Sequence, residues 1–216
     1  MIKTKNRGLF IVISGPSGAG KGTVCKGLVK ANPNVWLSVS ATTREKRPDE
    51  KNGENYFFLT KDEFINKIEA GEFLEYAIVH DNQYYGTPKE KINEHLTKGK
   101  DVILEIDIKG ALQIQDNIPN SLFIFILPPS MKELKRRLIS RGTESKEKMI
   151  ERFKASYKEI NEITKYNYVV VNDNIEDAIK KINAIMVAEK CRVDRIEDVA
   201  LNNLEEEIHE NLVDTK

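Results

Sequence analysis

The stretch Ile11-Val12-Ile13-Ser14-Gly15-Pro16-Ser17-Gly18-Ala19-Gly20-Lys21-Gly22-Thr23 constrains this chain more than any other. An apolar run breaks at Gly15, passes through a glycine-rich turn and meets Lys21 at the start of a helix-like segment. Strand, loop and helix in that order, with Gly15 and Gly20-Lys21 so spaced, mark a loop that cradles phosphate. Glycines let successive backbone N–H groups turn inward into an anion-binding nest, and the following helix points its positive end at the same spot. The ammonium of Lys21 adds a point charge for the outer phosphates of a nucleotide. The candidate nucleotide site is thus Gly15, Pro16, Ser17, Gly18, Ala19, Gly20, Lys21, Gly22 and Thr23. The strict pattern places Ser or Thr straight after the lysine to ligate magnesium. Gly22 stands there instead, so the metal ligands stay unassigned. A glycine-rich turn without a ligand is the alternative, and the flanking strand and helix argue against it.

Five apolar runs read as core strands: Leu9–Ile13, Trp36–Ala41, Val102–Ile106, Leu122–Leu127 and Tyr168–Val171. The run Phe123-Ile124-Phe125-Ile126-Leu127 shows no polar alternation, as in strands covered on both faces. Helix-like segments separate the runs, and right-handed crossovers then give an α/β chain with a parallel sheet between helical layers. A hydroxyl with a glutamate three residues on marks a helix start. Thr60 pairs so with Glu63, Thr87 with Glu90 (Pro88 then being the first helical residue) and Ser130 with Glu133. Longer helices are expected from about Lys146 to Lys165 and from about Ile175 to Lys190.

With 216 residues the chain is expected to form one core with small inserted lobes. Lys plus Arg and Asp plus Glu both number 34, so no global charge draws it to nucleic acid or to an acidic membrane. Two cysteines, Cys25 and Cys191, are too few for a disulfide framework and suit a reducing compartment. The short apolar run after Lys3, Lys5 and Arg7 leads straight into the phosphate loop without a small-residue cleavage site. A signal peptide is not expected, nor a membrane span, and the expected location is the cytoplasm.

The stretch from Thr43 to Lys98 has a different character. It opens on the charged loop Arg44–Gly53, and short aromatic strand candidates follow at Tyr56–Phe58, Phe73–Ala77 and Tyr84–Thr87. It reads as an inserted lobe offering polar groups to a ligand, with a solvated hairpin as the equal alternative for its loop. After Cys191 the chain turns acidic, so residues 191–216 read as an acidic extension whose charge run is a solvated face, while Leu201, Leu204, Ile208 and Leu212 recur at the spacing of an amphipathic helix.

Taken in order, seven segments resemble the guanylate kinase family, phosphotransferases that act on GMP. They are Gly15–Thr23, Ser38–Pro48, Asn52–Tyr56, Phe73–Ala77, Tyr84–Pro88, Glu105-Ile106-Asp107 and Arg141-Gly142-Thr143-Glu144. The resemblance runs from about Gly8 to Ala188. It implies a P-loop NTPase three-layer sandwich with a five-stranded parallel core sheet, an inserted GMP-binding lobe and a helical lid. The expected layout is a guanylate-kinase-like domain over 1–190, with core segments 1–42, 99–130 and 166–190, the lobe at 43–98 and the lid at about 136–160.

Arg44 and Arg47 offer two guanidinium forks suited to a monophosphate. The resemblance implies that both grip the GMP phosphate, with Tyr56 and Tyr85 adding phenolic donors. Glu75 is the carboxylate expected to select the base. Guanine presents N1–H and N2–H₂ side by side, and one carboxylate accepts both, whereas adenine would set its N1 lone pair against Glu75. Ser40 and Thr87 complete the base pocket by resemblance. Asp107 is expected to support GMP, with capping of the next helix as its plain alternative, and Glu105 is a weaker candidate. Arg137, Arg141 and Arg152 are implied to reach the donor phosphates, whereas Arg136 faces solvent. Asn172 and Asp173 match a segment near the donor nucleotide or are simply turn residues.

The catalytic set expected is therefore Lys21, Arg44, Arg137, Arg141 and Arg152, with ATP and Mg²⁺ as cofactors. The expected reaction is ATP-dependent phosphorylation of GMP, and of dGMP, to the diphosphate, in purine nucleotide metabolism. Its partners are these small molecules, with no nucleic acid and no membrane. The competing class is a non-catalytic guanylate-kinase-like interaction module, and a kinase for another nucleoside monophosphate is the other alternative. The intact Gly20-Lys21 loop argues against the first, and Glu75 against the second.

Overall fold

A computed structural model describes residues 7–79, 82–118, 121–140 and 146–195; for residues 79, 140, 146–149 and 152 it describes the backbone alone. The first strand, β1 (Phe10–Ser14), is buried at all five positions. Its alternate side chains serve different layers, because successive residues of a strand point to opposite faces. Ile11 and Ile13 pack with Val24, Cys25 and Leu28 of helix α1 (Lys21–Ala31) and with Ala178, Ile182 and Met186 of α7 (Ile175–Lys190). Phe10 and Val12 pack on the other side with Ile92 and Leu96 of α3 (Glu90–Thr97) and Ala111 and Ile114 of α4 (Ile108–Asn117). That is why the strand reads as an unbroken apolar run.

Around β1 lies a parallel sheet of five strands. Its other members are β2 (Val35–Leu37), β7 (Asp101–Glu105), β8 (Leu122–Leu127) and β9 (Tyr168–Val171), in the spatial order β2-β7-β1-β8-β9. The α/β sandwich expected from the sequence is thus present. Buried Asp101 ties its lower rim together: Oδ1 accepts the Leu9 N–H at 2.9 Å and Oδ2 the Lys190 ammonium at 2.6 Å.

A second sheet runs β4-β3-β6-β5, from β3 (Ala41–Thr42), β4 (Phe57–Phe58), β5 (Phe73–Val79) and β6 (Gln83–Pro88), with α2 (Lys61–Glu69) beside it. Fully buried Phe64 of α2 stacks on Phe73 with ring centroids 4.4 Å apart. The edge strand β5 is held to the core by Gln113 of α4, whose amide exchanges hydrogen bonds with the backbone of Tyr76 at 3.3 and 2.9 Å. That side chain satisfies an edge that would otherwise be unpaired.

Three sequence readings are corrected here. The run Trp36–Ala41 does not form one strand: Val35–Leu37 joins the parallel sheet, and Ala41–Thr42 opens the second. Thr87 does not cap α3. The helix starts from Lys89 without a side-chain cap, because Thr87 lies inside β6 and spends its hydroxyl on Glu75. The helix at Lys146 ends at Ile160, and residues Asn161–Lys165 form a 3₁₀ turn. The capping box at Thr60 and Glu63 is present in full, whereas Ser130 receives only the Glu133 N–H, since the Glu133 carboxylate binds Arg136 and Arg137. Helix α7 has the expected bounds.

Replacing Phe64 by Ala removes the ring around which the second sheet packs, and a cost of about 3–5 kcal/mol is expected for such a truncation. Urea unfolding of the full chain should show a lower midpoint at unchanged slope; an unchanged midpoint would show that this cluster contributes no stability.

Candidate active site

In an open parallel sheet the ligand crevice lies beyond the carboxyl ends of the strands. Here β1 ends at Ser14 and gives way to the loop that leads into α1, and the neighbouring β7 ends at Glu105. The loop needs its glycines. Gly15 sits at φ 141°, and a Cβ there would stand 2.3 Å from the Ile126 carbonyl oxygen of β8. Gly20, at φ 92°, forms the left-handed N-cap of α1, and a Cβ on it would meet the Asn172 amide nitrogen at 2.4 Å. Helix α1 has no side-chain cap, so its first N–H groups face the loop.

Lys21, the first residue of α1, folds back over the loop, its ammonium donating to the carbonyls of Gly15 at 2.5 Å and Pro16 at 3.2 Å. Burial pushes its pKa down, while Glu105, then Glu159 and Asp107, hold the charge on. From the other side, Asn172 donates its amide to the Ala19 carbonyl at 2.8 Å. Arg137, on helix α5 (Met131–Ser140), reaches the same carbonyl at 3.4 Å, and it also donates to the Asn172 carbonyl at 3.1 Å and to Glu133 at 2.8 Å. The loop therefore has Arg137 on its outer wall, and Arg136 turns away to Glu133 with its side chain 70% exposed. Arg141 lies outside the described residues; Arg152 falls on α6 (Lys146–Ile160), with only its backbone described.

Beyond β3 the chain gathers a cluster of charged and aromatic side chains. The Arg44 guanidinium meets both carboxylate oxygens of Glu50, at 2.7 and 2.9 Å, and Glu50 also accepts the Arg47 N–H at 2.9 Å. Arg44 lies over the rings of Tyr56 and Phe58, 5.5 and 5.7 Å from their centroids. Tyr85 lies edge-on to Tyr56 at 5.9 Å. Although burial works against both charges, the bonds of Arg44 to Glu50 and Tyr85 raise its pKa, and Arg44 with the Arg47 N–H holds the Glu50 carboxyl low. Burial first, and then Glu105, pushes the Tyr56 phenol up to about 12, so it remains a donor at neutral pH. The Arg47 side chain is exposed beside this group.

The third group sits where β5 and β6 meet α4. Glu75 is 6% exposed, and its Oε1 accepts the Thr87 hydroxyl at 2.6 Å. Burial pushes its carboxyl up to about 7 against the Thr87 bond, and nearby Asp107 adds to the rise. Asp107 is the N-cap of α4, its Oδ1 accepting the Gly110 N–H at 2.8 Å. The capping alternative left open by the sequence is thus realised, in a residue whose field still reaches both Lys21 and Glu75. Ser40 precedes Ala41, which pairs with Gly86 of β6, so it stands at the rim of the same sheet. The acids at the end of β7 link the halves: Glu105 acts on Lys21 and Tyr56, Asp107 on Lys21 and Glu75.

A family model described as guanylate kinase matches residues 7–189. The chain belongs to the guanylate kinase family. The guanylate kinase of Clostridium tetani is 61% identical over 208 residues, covering 96% of this chain and 99% of that one. That of Clostridium perfringens is 57% identical over 213 residues, covering 99% and 98%. A crystal structure of guanylate kinase from Anaplasma phagocytophilum matches with TM-score 0.76 at 32% identity, covering 98% of this chain and 97% of that one. Membership makes this guanylate kinase relative a nucleoside monophosphate kinase.

Two residues of this site lay outside the sequence-derived set. Glu50 was part of a charged loop, and its spacing from Arg44 and Arg47 was its only signal. Asn172, read as a donor-side or a turn residue, is 2% exposed and holds the phosphate loop.

The raised Glu75 pKa gives a pH prediction with a defined sign. The folded protein holds this proton up to about 7, so a base that needs the carboxylate binds more tightly as pH rises through that value. The phosphate of GMP titrates near 6 on its own. Calorimetric GMP affinity should therefore show two rises in the wild type and only the lower one in Glu75→Gln. Identical profiles would remove Glu75 from base recognition.

Proposed function

We infer that this site transfers the γ-phosphoryl group of ATP to GMP, giving ADP and GDP. The observation that carries the reading is the convergence of a lysine-bearing phosphate loop with a buried carboxylate and a paired arginine around one strand end. The loop and Lys21 hold the donor phosphates, and Arg137 approaches from the α5 side. Arg44 and Arg47, with Tyr56 and Tyr85, hold the acceptor phosphate; Arg44 must exchange Glu50 for that phosphate or grip both. Glu75, kept in place by Thr87, accepts the two adjacent donors of guanine, and Ser40 and Asp107 flank it. The family resemblance assigns Arg141 and Arg152 to the donor phosphates as well. dGMP, which has the same base and phosphate, is an acceptor too.

The acceptor's own phosphate oxygen is the nucleophile, so the protein has little covalent chemistry to perform. Its contribution is in-line placement and positive charge against the transferring group. The new bond joins a GMP phosphate oxygen to the γ-phosphorus as the bond to the ADP oxygen breaks, and the electron pair leaves with ADP. Tyr56, held in its phenol form, donates to the acceptor phosphate without losing its proton.

Magnesium fits the donor set. Gly22 has no hydroxyl to offer, but a Cβ there would lie 3.3 and 3.4 Å from the two Glu105 carboxylate oxygens. A single hard carboxylate beside nucleotide phosphates is a usual environment for Mg²⁺, which keeps several of its waters. Glu105 is the residue that would hold it, directly or through water. Held there, Mg²⁺ would supply positive charge against the donor phosphates. No described helix is long and apolar enough to cross a membrane. Both cysteines are free thiols, which suits the reducing cytoplasm in which we place the reaction.

A coupled assay of ADP release with ATP·Mg²⁺ should give turnover with GMP and little with AMP, CMP or UMP. Turnover with another monophosphate would contradict the base assignment. GMP binding without turnover would indicate the non-catalytic interaction module.

A further inference from the structure

Helix α4 passes Glu75 at a distance that only glycine permits. A Cβ on Gly110 would stand 2.5 Å from Glu75 Oε2, 3.0 Å from Glu75 Cδ and 3.5 Å from Asp107 Oδ1. The first of these is a contact that real side chains do not make. Gly110 is not kept for its backbone angles, since it is absent from the positive-φ residues and lies within α4. On helix propensity alone, Ala would be the better residue here. What glycine provides at this position is space, and the Glu75 carboxylate fills it.

The carboxylate cannot retreat without loss. Its other oxygen is bound to the Thr87 hydroxyl at 2.6 Å, and strands β5 and β6 pair Glu75 with Thr87 directly. Strand β5 is further fixed to α4 by the Gln113 amide. Helix and strand are thus locked together one turn away from the close approach. A methyl group at 110 leaves two responses: the carboxylate rotates and breaks the Thr87 bond, or α4 moves and shifts Asp107.

We propose that Gly110 is a specificity-determining positioning residue, whose missing side chain sets where the Glu75 carboxylate meets the acceptor base. This rests on the reading that Glu75 accepts the guanine edge. Gly110 touches no substrate in this account and acts through Glu75 alone. Two adjacent N–H donors need both acceptor oxygens in their plane, so a displacement by the width of a methyl group misaligns both bonds at once. Binding of ATP, on the far side of Lys21, has no such dependence.

The test compares wild type, Gly110→Ala, Glu75→Gln, Glu75→Asp and the double variant Glu75→Asp/Gly110→Ala in the full chain. For Gly110→Ala, the GMP KM should rise on the order of 10–100-fold, with the ATP KM unchanged and the preference for GMP over AMP eroded. Shortening Glu75 by one methylene withdraws the carboxylate from the added methyl. The double variant should therefore recover GMP preference relative to Gly110→Ala, while Glu75→Asp alone loses it. Denaturant midpoints separate this from misfolding, because a fold defect lowers the active fraction, and with it the apparent kcat, rather than raising the GMP KM alone, and it is not rescued by a shorter acid. A folded Gly110→Ala protein with wild-type GMP KM and base preference overturns the proposal, as does a double variant no better than Gly110→Ala. If Glu75→Gln keeps wild-type selectivity, the assignment of Glu75 to the base fails, and the proposal falls with it for that separate reason.

Discussion

Everything in this molecule is arranged around a turn in which side chains do not fit. Between β1 and α1 the backbone passes so close to the β8 carbonyl of Ile126 and to the Asn172 amide that Gly15 and Gly20 have no substitutes without a shift of their neighbours. The close fit has two consequences. It aims the uncapped end of α1 at the crevice, and it brings Lys21 back over its own loop. The sheet supplies rigidity for this: β1 is central, with parallel partners on each side and helices on both faces. A loop that must hold its N–H groups ready for an anion works only on such a support.

The two acids at the end of β7 couple this loop to the second sheet. Glu105 and Asp107 lie where the field of each half is felt by the other, next to Lys21 on one side and to Tyr56 and Glu75 on the other. A lysine losing solvent tends to lose its proton, and these carboxylates oppose that. Glu75 is the opposite case: burial and Asp107 together make its charge costly. A group that is costly when unpartnered rewards the ligand that brings it two N–H donors, and it penalises one that brings a lone pair. On the proposed reading, base selectivity would then follow from the burial of this one carboxylate.

Much of the fold was legible in the sequence because period and punctuation agree. Unbroken apolar runs gave four of the five core strands within a residue or so, and the Asn174-capped start of α7 fell where expected. The division at Ser38–Ser40 was not legible, since both halves of Trp36–Ala41 look like strand and no glycine or proline separates them. Thr87 misled because a hydroxyl three residues before a glutamate is the same pattern for a cap as for a strand residue with another task. Only the position of Glu75 across the hairpin decides between them. Site residues that carry charge stood out, whereas Asn172 and Gly110 act through fit and have no chemical signature. Glu50 was hidden in a loop whose charges looked solvated, yet its side chain is 14% exposed.

The most direct test follows the fate of the transferred group. The full chain is given ATP labelled in the γ-phosphate, with Mg²⁺ and an equimolar mixture of GMP and AMP, and the products are separated. The account predicts that the label appears in GDP, with little in ADP or inorganic phosphate. Label in ADP would contradict the role of Glu75. Label released as inorganic phosphate at a rate indifferent to GMP would contradict the two-substrate crevice itself.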